Sequence, residues 1–306
     1  MNYIICAIAK LENDYLYEWA KYHLDLGFSC IHVYDNNDAD GERVSDVFRG
    51  SDCENNVIIH DVRGQHYMQK KVYQECYDYE YFDWCAFIDI DEFITFEEKS
   101  EVRTITDFLK DKNEWEAVHL NWMCYGDCGM VRNNHKPVLE RFRYPKKPFG
   151  FYYNYTNHSE NEHIKSIIRK GLKIDWCRDD DNYESNPHTP YGLDLICDST
   201  GRKTNNSPFS PICYKVAYIR HYTTKTVEEY ATKVVRQCAD CDNIGFYGFS
   251  KFFRMNRPSL KKLLWLKGNH PNTNVKDCMA EYIKSLLLNY DLPFKSLFRS
   301  LKKVQK

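Results

Sequence analysis

The stretch CAFIDIDEFITF (85–96) is an apolar run interrupted by Asp89, Asp91 and Glu92. Charged side chains are rarely buried unless they are paired or bound to a metal. The run therefore either ends in a solvated loop or delivers carboxylates to a site. Its lead-in, residues 85–88, reads as a buried strand. In a parallel α/β sheet, ligands gather at the carboxyl ends of strands. Asp89 and Asp91 stand at such an end, and if the strand continues through them both side chains leave on one face. Two carboxylates so placed form a hard-oxygen site suited to Mg²⁺ or Mn²⁺, with phosphate oxygens completing the shell. The plain alternative is a solvated strand end, since an isolated Asp-x-Asp is common by chance.

Working outward, Tyr3 to Ile8 is a short apolar run typical of a buried strand. EWAKYHLDLG (18–27) carries Trp19, Tyr22, His23 and Leu26 at helical spacing and stops at Gly27, a C-cap signal. CIHVYDNN (30–37) and NVIIHD (56–61) are further strands, and HYMQKKVYQECYDYE (66–80) fits a helix. This strand–helix alternation predicts an α/β fold with a Rossmann-like, mostly parallel central sheet flanked by helices. Beyond it, TITDFLKD (104–111) starts a helix capped by Thr104 or Thr106. AVHLNWMCYG (117–126), HIKSIIR (163–169) and VAYIRHY (216–222) read as strands, with a helix over TVEEYATKVVRQ (226–237). Residues 175 to 211 are polar and loop-like.

A chain of 306 residues with 43% hydrophobic and 28% charged residues suits a large soluble α/β domain with an appendage. A net charge of -2 offers no basic field for nucleic acid. The 13 cysteines form no dense, evenly spaced framework, and MNYIICAIAK lacks the features of a secretory leader. Free thiols in a reducing cytoplasm are expected. No apolar stretch approaches the roughly 18 residues of a membrane span. The 15% aromatic content, with 24 Tyr, serves packing or the stacking of sugar faces.

Other clusters admit two readings. Asp35 in YDNNDAD (34–40) forms an ordinary Asx turn or accepts from a nucleobase or ribose. In RHYTTK (220–225), His221 is a structural histidine or a metal ligand, with Arg220 and Lys225 as phosphate partners. In WMCYGDCG (122–129), Gly126 and Gly129 put Asp127 on an open turn, either as a solvated acid or as a general base. Lys165 and Arg169 share a face if their segment is helical, and are otherwise a solvated basic edge. Cys238 and Cys241 lack a second ligand pair, which argues against zinc or redox chemistry.

Taken in order, AIAKLENDYLYEWAKYHLDLGFSCIHVYDNND, DWCAFIDIDEFI, NWMCYGDCG, HIKSIIR and HYTTK resemble glycosyltransferase family 92 and its bacterial family-2-like relatives. The resemblance implies a GT-A fold over residues 1–236, with a nucleotide-binding half (1–95) and an acceptor half (96–236). A C-terminal helical extension (237–306) would follow. It implies a UDP-sugar donor, a Mn²⁺ or Mg²⁺ cofactor and inverting transfer of a hexose, galactose first, to a glycan or lipid-linked acceptor in bacterial surface-glycan synthesis. Carried over by position, Asp91 is the direct metal ligand, Asp89 supports metal or ribose, and His221 completes the metal or diphosphate site. Ala9, Lys10, Glu12 and Asp35 fall beside the nucleotide, with Arg63, Lys165 and Lys225 as further donor-binding candidates. The catalytic base is expected at Asp127, then Glu160 or Glu162. YGDCG departs from the Phe-Gly-Ser-Ser-Gly-like turn of animal members, which puts the acceptor in question. His188 stands where relatives often carry a histidine before a Pro-containing turn.

Two rival classes remain. A haloacid-dehalogenase-like phosphatase also places Asp-x-Asp after an apolar strand, but near the N-terminus, and the acid run Asp179 to Asp181 imitates its later metal motif. A non-catalytic glycan-binding protein on the same fold is the other. Finally, Phe294, Leu297, Phe298 and Leu301 make an apolar stripe among Lys and Arg residues. That tail either docks on the core or lies on the inner face of the cell membrane, making a cytoplasmic enzyme peripheral.

Overall fold

The computed structural model describes residues 1–128, 130, 132–145, 159–178, 186–226, 228–230 and 233. Its first half alternates as the apolar pattern predicts: β1 (Tyr3–Ala9), α1 (Asn13–Asp25), β2 (Cys30–Asp35), α2 (Val44–Phe48), β3 (Val57–Asp61), α3 (Gln69–Tyr79) and β4 (Trp84–Phe87). Then follow β5 (Glu92–Phe96), α4 (Ile105–Leu109), β6 (Ala117–Cys124), α5 (Val138–Arg141), β7 (Ile164–Arg169), β8 (Ile196–Asp198), β9 (Lys203–Thr204) and β10 (Ala217–His221). The strands are ordered β3-β2-β1-β4-β7-β6-β10-β5, with β8 on β6 and β9 on β8.

Strand direction explains where a site forms. β3, β2, β1 and β4 are mutually parallel. β7 runs against both β4 and β6, so β6 points the same way as β4, and β10 runs parallel to β6. The carboxyl ends of β1, β2, β4, β6 and β10 therefore share one edge of the sheet with the amino end of β7. Every residue of β1 is buried, as expected for a central strand covered on both faces. Ile4, Cys6, Ile8 and Tyr34 meet Val72, Tyr73, Cys76 and Tyr77 of α3 in one apolar cluster on one of those faces.

Local chemistry sets the element ends. α1 closes at Leu26, and Gly27 follows with φ 96°, a left-handed conformation glycine adopts without strain. Thr104 caps α4 through a reciprocal pair of bonds with Asp107, which settles the choice between Thr104 and Thr106. Three expectations change. The apolar run 85–96 is two strands, because the chain turns at Asp89 and β5 leaves to pair antiparallel with β10. Residues 175 to 211 contain β8 and β9, a pairing carried by only three and two residues and hence invisible as a periodic run. The strand read over 163–169 is β7, Ile164–Arg169, buried up to Arg169, so Lys165 does not belong to a solvated basic edge.

By compactness the chain divides into Met1–Cys124 with Lys146–His221, and Tyr125–Pro145 with Tyr222–Lys306. The whole sheet belongs to the first unit. In the second, the Arg141 guanidinium grips Glu229 with two bonds of 2.8 and 2.9 Å, both side chains nearly out of solvent. The expected extension 237–306, its apolar stripe, Cys238, Cys241 and the acids 179–181 lie outside the described residues. Among the described residues no helix is long and apolar enough to cross a membrane, and no disulfide joins the cysteines.

Candidate functional site

The acid loop between β4 and β5 is held from behind by α1. Three side chains within about one helical turn reach the β5 backbone. Trp19 Nε1 donates to the Glu92 carbonyl at 2.8 Å, and Tyr22 OH donates to the Ile94 carbonyl at 2.8 Å. His23 Nε2 accepts the Ile94 N–H at 3.2 Å. His23 is fixed in one tautomer, because its Nδ1–H faces the Trp19 carbonyl at 2.8 Å. Burial drives its pKa down to about 3, so the ring is neutral. The helical stripe legible in the sequence is thus a polar clamp as well as an apolar face.

Within the loop the acids separate by partner. Asp89 receives Lys165 Nζ at 2.9 Å on one oxygen, and Gln69 Nε2 at 2.7 Å with Tyr73 OH at 3.3 Å on the other. Lys165 is 1% exposed and also lies 3.8 Å from Glu92. Burial works against its charge, and the Asp89 carboxylate bonded to it more than offsets that, holding the ammonium above its ordinary value. Glu92 is fully buried, accepts the Asp89 N–H at 3.0 Å and is pushed well above the carboxylate range by burial, opposed by Lys165. It braces the loop from inside.

Asp91 turns to another partner: its Oδ1 lies 3.5 Å from His221 Nε2, at the end of β10. Since β4 ends at Phe87, the alternation that would send Asp89 and Asp91 to one face does not operate. A carboxylate oxygen and an imidazole nitrogen at this separation fit neighbouring positions around one divalent cation, and the nitrogen favours Mn²⁺ over Mg²⁺. Asp89, already bonded on both oxygens, suits a supporting role.

Along the same edge, the ends of β1 and β2 are tied by two asparagines. Asn37 Oδ1 accepts the N–H of Leu11 at 2.6 Å, and Leu11 has φ 51°, a strained conformation for a branched side chain. Asn36 N–H donates to the Ala9 carbonyl, and its side chain donates to Val62 and Gln65. Asp35 forms the Asx turn, accepting from Asn37 N–H at 3.1 Å and Val44 N–H at 2.9 Å. Arg63 grips Asp61 at 2.9 Å and stands 4.0 Å from Asp35. Lys10 is 4.0 Å from Asp38, and Glu12 is buried ahead of α1.

An aromatic wall flanks His221. Trp122 stacks on His163 at 4.7 Å and meets His221 at 4.1 Å and His188 at 5.1 Å. Burial, with Lys165 and His163 adding to it, holds the His188 pKa well below the usual histidine value. Of the expected bases, Glu162 caps its own 3₁₀ turn by accepting the Ser159 N–H, and Glu160 opens that turn half-buried. Asp127 and Lys225 belong to the second unit. Asp127 is buried and not on an open turn, while Lys225 is buried with φ 47°. The structure thus pairs Asp89 with Lys165 and Asp91 with His221. Gln69, Tyr73, Asn36, Asn37 and Trp122 escaped the reading from sequence. Only Asn36 and Asn37, adjacent in a strand-end turn, carried a local signal there.

No protein-family model matches the chain, and no curated protein is significantly similar in sequence. Solved structures that resemble it include HddC from Yersinia pseudotuberculosis, with TM-score 0.40 and 11% identity over 75% of this chain and 97% of that one. S. aureus TarS 1-349 gives TM-score 0.40 and 10% identity over 85% and 72% of the two chains. A CMP:2-keto-3-deoxy-manno-octonic acid synthetase complexed with CTP gives TM-score 0.31 and 12% identity over 55% and 74%.

Proposed function

We propose that the chain is a GT-A-type glycosyltransferase that moves a hexose, galactose the first choice, from a UDP-sugar to a glycan hydroxyl with inversion. The observation that carries this reading is Asp91 beside His221, with Asp89 anchored by Lys165, at the carboxyl edge of a parallel sheet. Asp91 and His221 would hold a divalent cation, Mn²⁺ before Mg²⁺. Bound there, the cation supplies electrostatic stabilisation of a leaving diphosphate. The residues themselves do the rest. The tied ends of β1 and β2, with Ala9, Lys10, Glu12, Asp35 and Arg63, form the nucleotide rim. Trp122, packed against His163, His188 and His221, would hold the His221 imidazole in place. Asp127 is the first choice to take the proton from the acceptor hydroxyl, ahead of Glu160 and Glu162. The acceptor is a glycan or lipid-linked glycan, and residues 1–236 would act as the catalytic domain.

A panel of nucleotide sugars with Mn²⁺, read first by thermal shift and then by nucleotide release, tests the proposal. One UDP-sugar should stabilise the wild type and turn over, and Asp91→Asn should lose both responses. Asp127→Asn should bind UDP normally and fail to transfer. Turnover that survives a chelator, or a phosphoaspartyl intermediate on Asp89, would sink the reading in favour of other chemistry. Binding of glycans with no nucleotide release would leave a non-catalytic lectin.

A further inference from the structure

A second group of metal-ligating side chains sits away from the acid loop. His32 on β2 and His60 on β3 project from the same face of the sheet, since Tyr34 pairs with His60 and His32 lies two residues before it. Glu80, the residue that ends α3, comes down onto them. His32 Nδ1 and His60 Nε2 share a hydrogen bond of 3.0 Å, whose proton an ion would displace, and Glu80 Oε1 is 3.8 Å from the first and 4.0 Å from the second. Among the described residues these form a group of three His, Cys, Asp or Glu ligand atoms close enough to share one ion.

The triangle has a telling size. A point equidistant from three atoms so separated lies about 2.1 Å from each, which is the length of Zn–N and Zn–O bonds. An ion just off that plane keeps all three bonds and leaves an apical position for water. The ligands are also oriented before any ion arrives. His60 stacks on Tyr34 at 4.3 Å and on His32 at 5.3 Å, nearly parallel to both. The Glu80 backbone is pinned at both ends, its N–H to the Cys76 carbonyl and its carbonyl to Lys170 Nζ at 2.9 Å. His32 is buried, whereas His60 and Glu80 side chains are 23% and 29% exposed, so an ion can reach the site from solvent.

We infer that His32, His60 and Glu80 bind a borderline divalent ion of the Zn²⁺ class, which clips the edge strand β3 to the end of α3. Two imidazoles and one carboxylate favour Zn²⁺ over Mg²⁺ or Ca²⁺. The inference is independent of the nucleotide-sugar reading, whose proposed ligands lie at the ends of β4 and β10.

Full-length protein stripped with a chelator and dialysed is titrated with Zn²⁺ by calorimetry, and metal content is read by elemental analysis. The Asp91→Asn background removes the other candidate ligand. One equivalent should bind in Asp91→Asn and at least that one in the wild type, raising Tm in both. His60→Asn and Glu80→Gln, changed at partly exposed positions and checked by circular dichroism, should bind at least about tenfold more weakly and lose the Tm rise. A wild type that takes up no Zn²⁺, or variants that match its affinity, overturns the inference. Loss of binding in Asp91→Asn alone would move the ion to the acid loop and overturn it equally.

Discussion

Acidification tests the clamp between α1 and β5 through His23. The ring donates from Nδ1 and accepts at Nε2, so a second proton would set two N–H groups, its own and that of Ile94, against each other. Burial sets its folded pKa at about 3, against the opposing hydrogen bond to the Trp19 carbonyl. An unfolded histidine titrates near 6.5, so between that pH and about 3 the unfolded chain holds a proton the fold refuses. Stability from this group is therefore complete above about pH 6.5 and falls as the pH drops. Integrated from pH 7 to pH 5, the loss is about 2 kcal/mol. His23→Gln should keep an acceptor for Ile94 while removing the titration. At pH 7 it should be less stable by about 1–3 kcal/mol, because the rings of Trp19, Tyr22 and Phe93 lose their partner. At pH 5 the gap should shrink by about 2 kcal/mol. His119, held down to about 3 by burial, contributes equally to both proteins and drops out of the difference. Urea unfolding followed by tryptophan fluorescence at the two pH values measures the gap. Parallel pH profiles for wild type and variant would refute the reasoning.

Other expectations follow from the same contacts. Lys165→Met strips the buried cation from Asp89 and Glu92 and should destabilise the fold by about 3–5 kcal/mol; a loss under about 1 kcal/mol in urea would show the pairing to be dispensable. Asn37→Ala removes the acceptor that holds Leu11 N–H and should lower stability by about 1–3 kcal/mol, with weaker nucleotide-sugar binding by calorimetry; unchanged affinity would detach this rim from the donor. His221→Ala should weaken Mn²⁺ binding, followed by electron paramagnetic resonance, at least about tenfold and Mg²⁺ binding less. Equal loss for both ions would mean the imidazole does not ligate.

Much of the first half was legible because its physics is local. The apolar run of seven residues in β1 and the helical stripe in α1 are signals that neighbouring residues create without help. The interruption at 85–96 was legible as an oddity, and its apolar lead-in correctly marked the end of β4. What could not be read was the direction the chain takes after Phe87. That depends on Trp19, Tyr22 and His23, some 70 residues earlier, gripping the backbone of β5. A run of twelve residues contains no trace of that grip.

The same distinction divides the acids of the loop. By residue type Asp89 and Asp91 are interchangeable, and a strand reading would give them one face and one role. The fold separates them through partners distant in sequence: Lys165 for Asp89 and His221 for Asp91. Lys165 reaches Asp89 because β7 runs antiparallel beside β4, bringing its amino end to the carboxyl edge. His221 reaches Asp91 because β10 ends at that edge, paired with both β6 and β5. Strand direction thus converts two like carboxylates into one neutralised by an ammonium and one beside an imidazole. A second cation would then be more strongly drawn to Asp91, since Asp89 already has the Lys165 ammonium at 2.9 Å. The asymmetry needs no further specialised residue in the loop, which is why the loop's own sequence does not announce it.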